Sequence, residues 1–468
     1  MNRFSLTYLG LFLLLLSVLS FFNIIYSYYF NLYLNIDAYI YTLITSLFLA
    51  FTFLIKKKVN EKISIYIKIL TLIIGYLILP LIISIPYYLS IYNISYLNCF
   101  FEAVSGFTST GFTIFENIKH IDESLILWRS SSQWIGGIYF LFSIILLIDI
   151  FDDNLKKSLT NYISFNSAEI FKQSLKILLL YSILTLFLFI VLKLINIRTF
   201  DSFNLSMTII SSGGFLPFNN IDLIINSDLK KIVFSILMLF SYFSLFLTYN
   251  FFYLRKKSLN FFAEDIYLFI YLIFLIIVFF VFFNFDYNFS SILFSITSSI
   301  SNIGISLNNT PNNLFFLFLI LVIIGGSFFS TSSGIRFLKL YLLIKFSINE
   351  LLSHVNPNNV YINRFNLLST NMHKQDIYKY FLSVIIFIIS LFIISSMLAI
   401  FNLNFSEAFI IGILTLMNTV NSSMYGLNDF NFSDLNIFAK YILIIFMIIG
   451  RVELITLLII SKKFLFKN

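Results

Sequence analysis

The sequence predicts an all-α integral membrane protein: four repeated span–loop–span units in a pseudo-fourfold arrangement, preceded by an N-terminal two-helix hairpin. Three observations predict it. The first is composition. Of 468 residues, 59% are hydrophobic and 11% are charged, with a mean hydropathy of +0.94. Runs such as 6–30 stay uncharged for longer than the roughly 20 residues a helix needs to cross a bilayer. The second is a recurring short segment, Phe100-Phe-Glu-Ala-Val-Ser-Gly-Phe-Thr-Ser-Thr-Gly-Phe-Thr-Ile114 in its clearest copy. It lies between two apolar spans and is too short to cross, so it reads as a re-entrant loop whose backbone is satisfied by protein or by cavity water. The third is the placement of Lys and Arg. With the N-terminus in the cytoplasm and each loop returning to its side of entry, basic residues favour the cytoplasmic side by roughly three to one. That asymmetry supports ten spans, loops entering from outside and both termini cytoplasmic.

Other classes fall away on composition. One cysteine, Cys99, excludes an internal disulfide and a Cys-based metal site. Three His with no His-x3-His pair argue against zinc. The net charge of +8 sits in loops beside spans and gives no case for nucleic acid. The 61 Phe are read as core or lipid-facing.

In chain order, residues 1–62 form the hairpin, with spans 6–30 and 38–55 retained rather than cleaved as a leader. Residues 63–165 form repeat 1, with spans 69–89 and 128–148. Pro80 and Pro86 are expected to kink or end its first span. Residues 166–260 form repeat 2 (spans 177–192 and 232–253), and 261–350 form repeat 3 (266–285 and 314–343). A cytoplasmic connector, 351–375, precedes repeat 4, 376–468, with spans 380–403 and 441–460. The repeat is marked by Gly111, Gly214, Gly304 and Val420, about 100 residues apart. Asn98, Asp201, Ser291 and Glu407 lie at one common offset before these markers and are taken as the helix starts, with Ser406 an alternative cap in the fourth loop.

The loop ends fit coordination of a dehydrated cation such as potassium. Such an ion sheds water only where oxygens replace it, and rings of backbone carbonyls do this. A turn glycine at positive φ turns carbonyls inward, and Ser or Thr adds hydroxyls. The candidate ion-binding residues are Ser109, Thr110 and Gly111; Ser212, Gly213 and Gly214; Asn302, Ile303 and Gly304; and Thr419 and Val420. None has Gly-Tyr-Gly, so fewer stacked ion sites are expected than in a tetrameric potassium channel. Close helix packing is the bland reading of one such loop, but not of three in register.

At this point the chain resembles the Trk/Ktr/HKT potassium transporter superfamily, in particular its TrkH branch. Phe101-Glu-Ala-Val-Ser-Gly-Phe-Thr-Ser-Thr-Gly111 looks like the first pore loop. Trp128-Arg-Ser-Ser-Ser-Gln-Trp-Ile-Gly-Gly137 is similar to the signature of the following span. Gly450-Arg-Val-Glu453 resembles the last-span motif, and Gly325-Gly-Ser-Phe-Phe-Ser-Thr-Ser-Ser-Gly-Ile-Arg336 the break in the third-repeat inner helix. The resemblance covers nearly the whole chain. It implies potassium uptake across a bacterial inner membrane and no enzymatic activity. It also implies no cofactor in this chain, a homodimer, and a cytosolic nucleotide-binding regulatory partner of the TrkA kind. The implied gate comprises Gly325, Gly326, Ser330, Thr331, Gly334 and Arg451. A mid-span Arg is costly and is a functional candidate on its own account, with carboxylate pairing or snorkelling the alternative. Arg336 is read as structural, Trp128 and Trp134 as interfacial. Glu102 either suits a helix N-terminus or concentrates cations.

Val420 departs from the pattern, standing where a fourth glycine is expected. Positive φ is costly for a β-branched residue, so the choice between potassium and sodium stays open. A polytopic membrane enzyme is the reading from another class. The acidic pairs Asp122-Glu123, Asp152-Asp153 and Glu264-Asp265 would be its raw material, but all three read as solvated faces. A non-conducting scaffold is a third, and would tolerate bulky changes in 109–112.

Overall fold

The computed structural model describes residues 3–55, 64–90, 92–147, 170–245, 263–283, 288–308, 310, 314–355, 374–401, 403–427 and 430–452. Among these, fifteen α-helices and no strand occur. Lipid requires this economy, because a helix satisfies its own backbone. The connector segment 356–373, the pair Asp152-Asp153 and Glu453 lie outside the described residues.

Helices α1 (Arg3–Tyr29) and α2 (Ile36–Leu54) form the N-terminal hairpin and pack on each other. Then come α3 (Ile65–Leu89), α4 (Tyr96–Phe107), α5 (Glu123–Leu147), α6 (Ile170–Leu194), α7 (Thr199–Ser211) and α8 (Asp228–Tyr242). The chain continues with α9 (Ala263–Phe283), α10 (Phe289–Ile300), α11 (Phe315–Ile324), α12 (Phe337–Val355), α13 (Lys374–Ile400), α14 (Phe405–Leu416) and α15 (Ile437–Val452). Seven helices are long and apolar enough to cross a bilayer: α1, α2, α3, α5, α6, α9 and α13. The other expected spans fall on α8, on α11 with α12, and on α15. The chain is a multi-pass membrane protein.

Helices α4, α7, α10 and α14 have 12 or 13 residues each. At 1.5 Å per residue none can cross a hydrocarbon layer of about 30 Å. Each is largely buried among neighbouring helices: α4 against α3 and α5, α7 against α6 and α5, α10 against α8 and α11, and α14 against α13 and α15. Helix α15 also packs on α4, bringing the last unit against the first. Helix α5 is buried along nearly its whole length, and its glycines let α4 approach. A Cβ on Gly136 would strike the Phe107 carbonyl at the end of α4.

Several expectations are corrected here. Pro80 and Pro86 do not end α3, which runs through both. Neighbouring helices can re-satisfy backbone disturbed by proline, and beside Pro86 the Trp128 indole donates to the Ile83 carbonyl at 3.0 Å. Trp128 is therefore buried in the protein rather than interfacial. The short helices also start one turn earlier than expected. Their N-caps are Ser95, Arg198, Asn288 and Asn404, sixteen residues before the four markers (111 − 95, 214 − 198, 304 − 288, 420 − 404). None of the four caps with its side chain, so Asn98, Asp201, Ser291 and Glu407 sit inside the first turn.

Candidate functional site

All four short helices end the same way. The residue two before each marker takes the left-handed conformation: Ser109 at φ 56, Ser212 at 59, Asn302 at 58 and Asn418 at 46. Its N–H bonds back to the carbonyl three residues earlier, at 2.9, 3.1, 3.1 and 3.2 Å in turn. The next N–H reaches the carbonyl five residues earlier: Thr110 to Ser105, Gly213 to Thr208, Ile303 to Ser298 and Thr419 to Leu414. This pair of bonds about a left-handed residue is the Schellman ending, which satisfies carbonyls a helix leaves orphaned. Two of the four left-handed residues are Asn, the non-glycine type best suited to it.

The left-handed residues also link one loop to the next. Ser212 donates its hydroxyl to the Ser301 carbonyl. Asn302 donates to Thr419 Oγ1 at 3.1 Å, and Asn418 to Thr110 Oγ1 at 3.0 Å. The second loop thus holds the third, the third the fourth, and the fourth the first. Beyond the turn, a hydroxyl from the short helix anchors the outgoing chain. Ser105 bonds the Phe112 carbonyl at 2.6 Å, Thr208 the Phe215 carbonyl at 3.0 Å and Ser298 the Ile305 carbonyl at 2.7 Å. The fourth helix has Leu414 at that position and cannot make this bond.

Gly111, Gly214 and Gly304 have φ of 79, 80 and 75. Val420 is not among the residues at positive φ. Its side chain lies against all three glycines. A Cβ built on Gly111 would be 2.9 Å from Val420 Cγ2, on Gly214 2.8 Å from Val420 Cβ, and on Gly304 2.9 Å from Val420 Cγ1. Three loops from distant parts of the chain thus converge on the fourth. A cavity of about 150 Å³ adjoins them, and its lining includes Gly111, Phe112, Glu116, Val420, Asn421 and Phe432.

On another side of α7, the stretch between α11 and α12 makes a closed loop. Gly325 and Gly334 form its neck: a Cβ on either would fall within 3 Å of the other's Cα. The Ile335 N–H bonds across to the Ile323 carbonyl at 2.9 Å. Arg336 threads the loop, donating to the Ser332 carbonyl at 2.6 Å and the Ser327 carbonyl at 3.0 Å. Thr331 bonds the Ile210 carbonyl of α7 at 2.8 Å. Arg451, 1% exposed, donates to Ser333 Oγ and stacks 3.9 Å from the Phe140 ring. Its Nε and Nη2 meet no acceptor among the described residues. A buried cation held by one hydroxyl and one ring is weakly compensated.

No protein-family model matches the chain. An uncharacterized cation transporter of Methanocaldococcus jannaschii is 24% identical, covering 94% of this chain and 91% of that protein. The Trk system potassium uptake protein TrkH of Escherichia coli K12 is 24% identical over 79% of each. The crystal structure of the potassium transporter TrkH from Vibrio parahaemolyticus superposes with a TM-score of 0.83, at 22% identity and 98% coverage of both chains. The chain is thus TrkH-like in sequence and in fold. The relatives named here are described as transporters.

In this TrkH-like chain the eleven candidate loop residues and the six residues of the expected gate fall into the two clusters just described. Three residues that hold the clusters, Arg129, Gln133 and Phe140, were not singled out by sequence. Arg129 is buried in α5 and ion-paired to Glu102 at 2.9 Å. Glu102 also accepts from the Ile114 N–H at 2.9 Å and Thr113 Oγ1 at 3.1 Å, so it fastens the outgoing strand of the first loop rather than attracting cations. Gln133 donates to the Gly213 carbonyl at 2.8 Å and so orients the second loop. Phe140 lies between Arg451 and Arg336, with Arg336 5.1 Å from its ring. Glu264 and Asp265 are not a solvated face. Glu264 accepts from the Phe328 N–H of the closed loop at 2.8 Å, and buried Asp265 from the Ser244 N–H just after α8 at 3.0 Å. A single signal was available for Arg129 and Gln133: a charge and an amide amid serines in an otherwise apolar span.

Proposed function

We propose that this chain takes up potassium across the bacterial inner membrane through a filter lined by main-chain oxygens. The filter comprises residues 109–111, 212–214, 302–304 and 419–420, set around a pseudo-fourfold axis by four repeats. The observation that carries the reading is the set of four helix endings in one register, linked loop to loop and converging on Val420. On this reading, carbonyls of several loops face a common centre and replace the hydration of a monovalent cation. The relatives' names, which speak of potassium uptake, point the same way.

The closed loop at 325–334 and Arg451 form the gate on the cytoplasmic side. An under-compensated guanidinium repels cations, and the glycine neck gives the loop a place to move. Both termini are cytoplasmic. The chain works as a homodimer with a nucleotide-binding TrkA-like partner, which carries any nucleotide dependence. A sodium-permeable transporter of the same fold is the second reading, favoured by the Val in the fourth loop.

The test is rescue of a potassium-uptake-deficient strain on low potassium, with the cytosolic partner supplied. Growth restored by the wild type and abolished by Gly111→Val is the expected result. A correctly inserted wild-type protein that gives no uptake of potassium, rubidium or sodium would overturn both readings.

A further inference from the structure

Val420 stands at a position that the other three loops leave empty. Its isopropyl group lies within 3 Å of where a Cβ would sit on Gly111, Gly214 and Gly304. Since those three belong to different loops, the Val420 side chain lies between them, near the centre they enclose. It is only partly buried, and it borders the cavity shared with Gly111 and Phe112.

The fourth loop also offers different atoms. A Cβ on Gly111 would meet the Gly213 carbonyl, and one on Gly214 the Ile303 carbonyl; in each case this is the residue just before the next marker. On Gly304 it would meet the Val420 carbonyl and the Thr419 methyl instead. The fourth side is thus shifted by one residue and presents hydrocarbon. Two causes are visible. Val420 does not adopt the positive φ of the glycines, which costs a β-branched residue dearly. Leu414 cannot supply the hydroxyl that anchors the outgoing chain of the other three loops.

Resting on the proposed filter, we infer that Val420 is its constriction and sets which monovalent cations pass and how fast. An ion crossing this level must displace the isopropyl group. Valine has few χ1 states, so a rotamer change alone offers little room and the fourth loop must shift with it. The obstruction is steric, so it weighs more on larger ions.

The experiment is tracer flux into vesicles containing the full-length wild type, Val420→Gly, Val420→Ala or Val420→Ile, each checked for monodispersity. Sodium, potassium and rubidium are compared. Val420→Gly is expected to raise flux several-fold, with the gain increasing from sodium to potassium to rubidium. Val420→Ala is expected to fall between it and the wild type, and Val420→Ile to lower all three fluxes. Val420→Ala keeps the test decisive if the glycine variant does not fold. Wild-type transport with equal gains for the three ions, or no gain in either small variant, overturns the inference and leaves the transport reading standing. Absence of wild-type flux overturns both.

Discussion

Glu102 and Arg129 show how much one pair of side chains can carry. The carboxylate is fully buried and the guanidinium 1% exposed. The guanidinium also bonds Thr113 Oγ1 at 2.9 Å and lies 4.2 Å from the Phe215 ring, so it touches the strands leaving two different loops. A buried pair of this kind adds little net stability, because desolvation offsets attraction. Breaking it strands a charge and costs about 3–5 kcal/mol. Arg129→Met is therefore expected to lower the melting temperature of the detergent-purified protein sharply. Glu102→Gln with Arg129→Met together should lose less than the two single changes summed. Additivity in that double-mutant cycle, read by thermal unfolding, would show that the pair is not coupled. The same residues mark a limit of sequence reading. Glu102 was visible as an acid inside a short helix, but its partner stood among serines in a segment read only as the signature of the following span. Ion pairing across 27 positions leaves no local trace.

At the scale of the element, the four short helices were legible because their endings obey local rules. Ser, Ser, Asn and Asn tolerate the left-handed turn, and glycine follows in three of four cases. Their starts were misplaced by one turn because no side chain caps them, so the polar residue inside the first turn was taken for the cap. The acidic pair at the start of α9 was misread for a related reason. Glu264 and Asp265 face backbone N–H groups of the closed loop and of the residues after α8, contacts that composition does not reveal. The hydroxyl anchors make the endings testable as a set. Ser105→Ala, Thr208→Val and Ser298→Ala each remove one buried bond to a carbonyl. Each should cost about 1 kcal/mol, more where the carbonyl is left without a partner. Thermal melts of the three variants should therefore fall in a narrow band below the wild type. If one matches the wild type, that loop does not depend on its anchor.

For the whole molecule, the long helices divide into those that bury the short ones and those that face lipid. Helix α9 exposes Phe269, Ile270, Phe274 and Ile277, and α2 exposes Tyr41, Ile44, Phe48 and Phe51, whereas α5 is enclosed. Hydropathy alone cannot separate these classes, since α5 and α2 are both apolar enough to span. The separation comes from packing, with small residues at the buried contacts. Orientation is read from the excess of basic residues on one side of the membrane. The orientation predicts a labelling pattern. Cys99 is fully buried, so the native thiol gives little background. Lys119 and Glu350 are both exposed, the first between α4 and α5 and the second near the end of α12. A membrane-impermeant maleimide added outside should label Lys119→Cys in spheroplasts and leave Glu350→Cys untouched until the membrane is permeabilised. The reverse pattern would invert the molecule, put the closed loop and Arg451 on the outer side of the ring of loops, and remove the basis for a cytoplasmic gate.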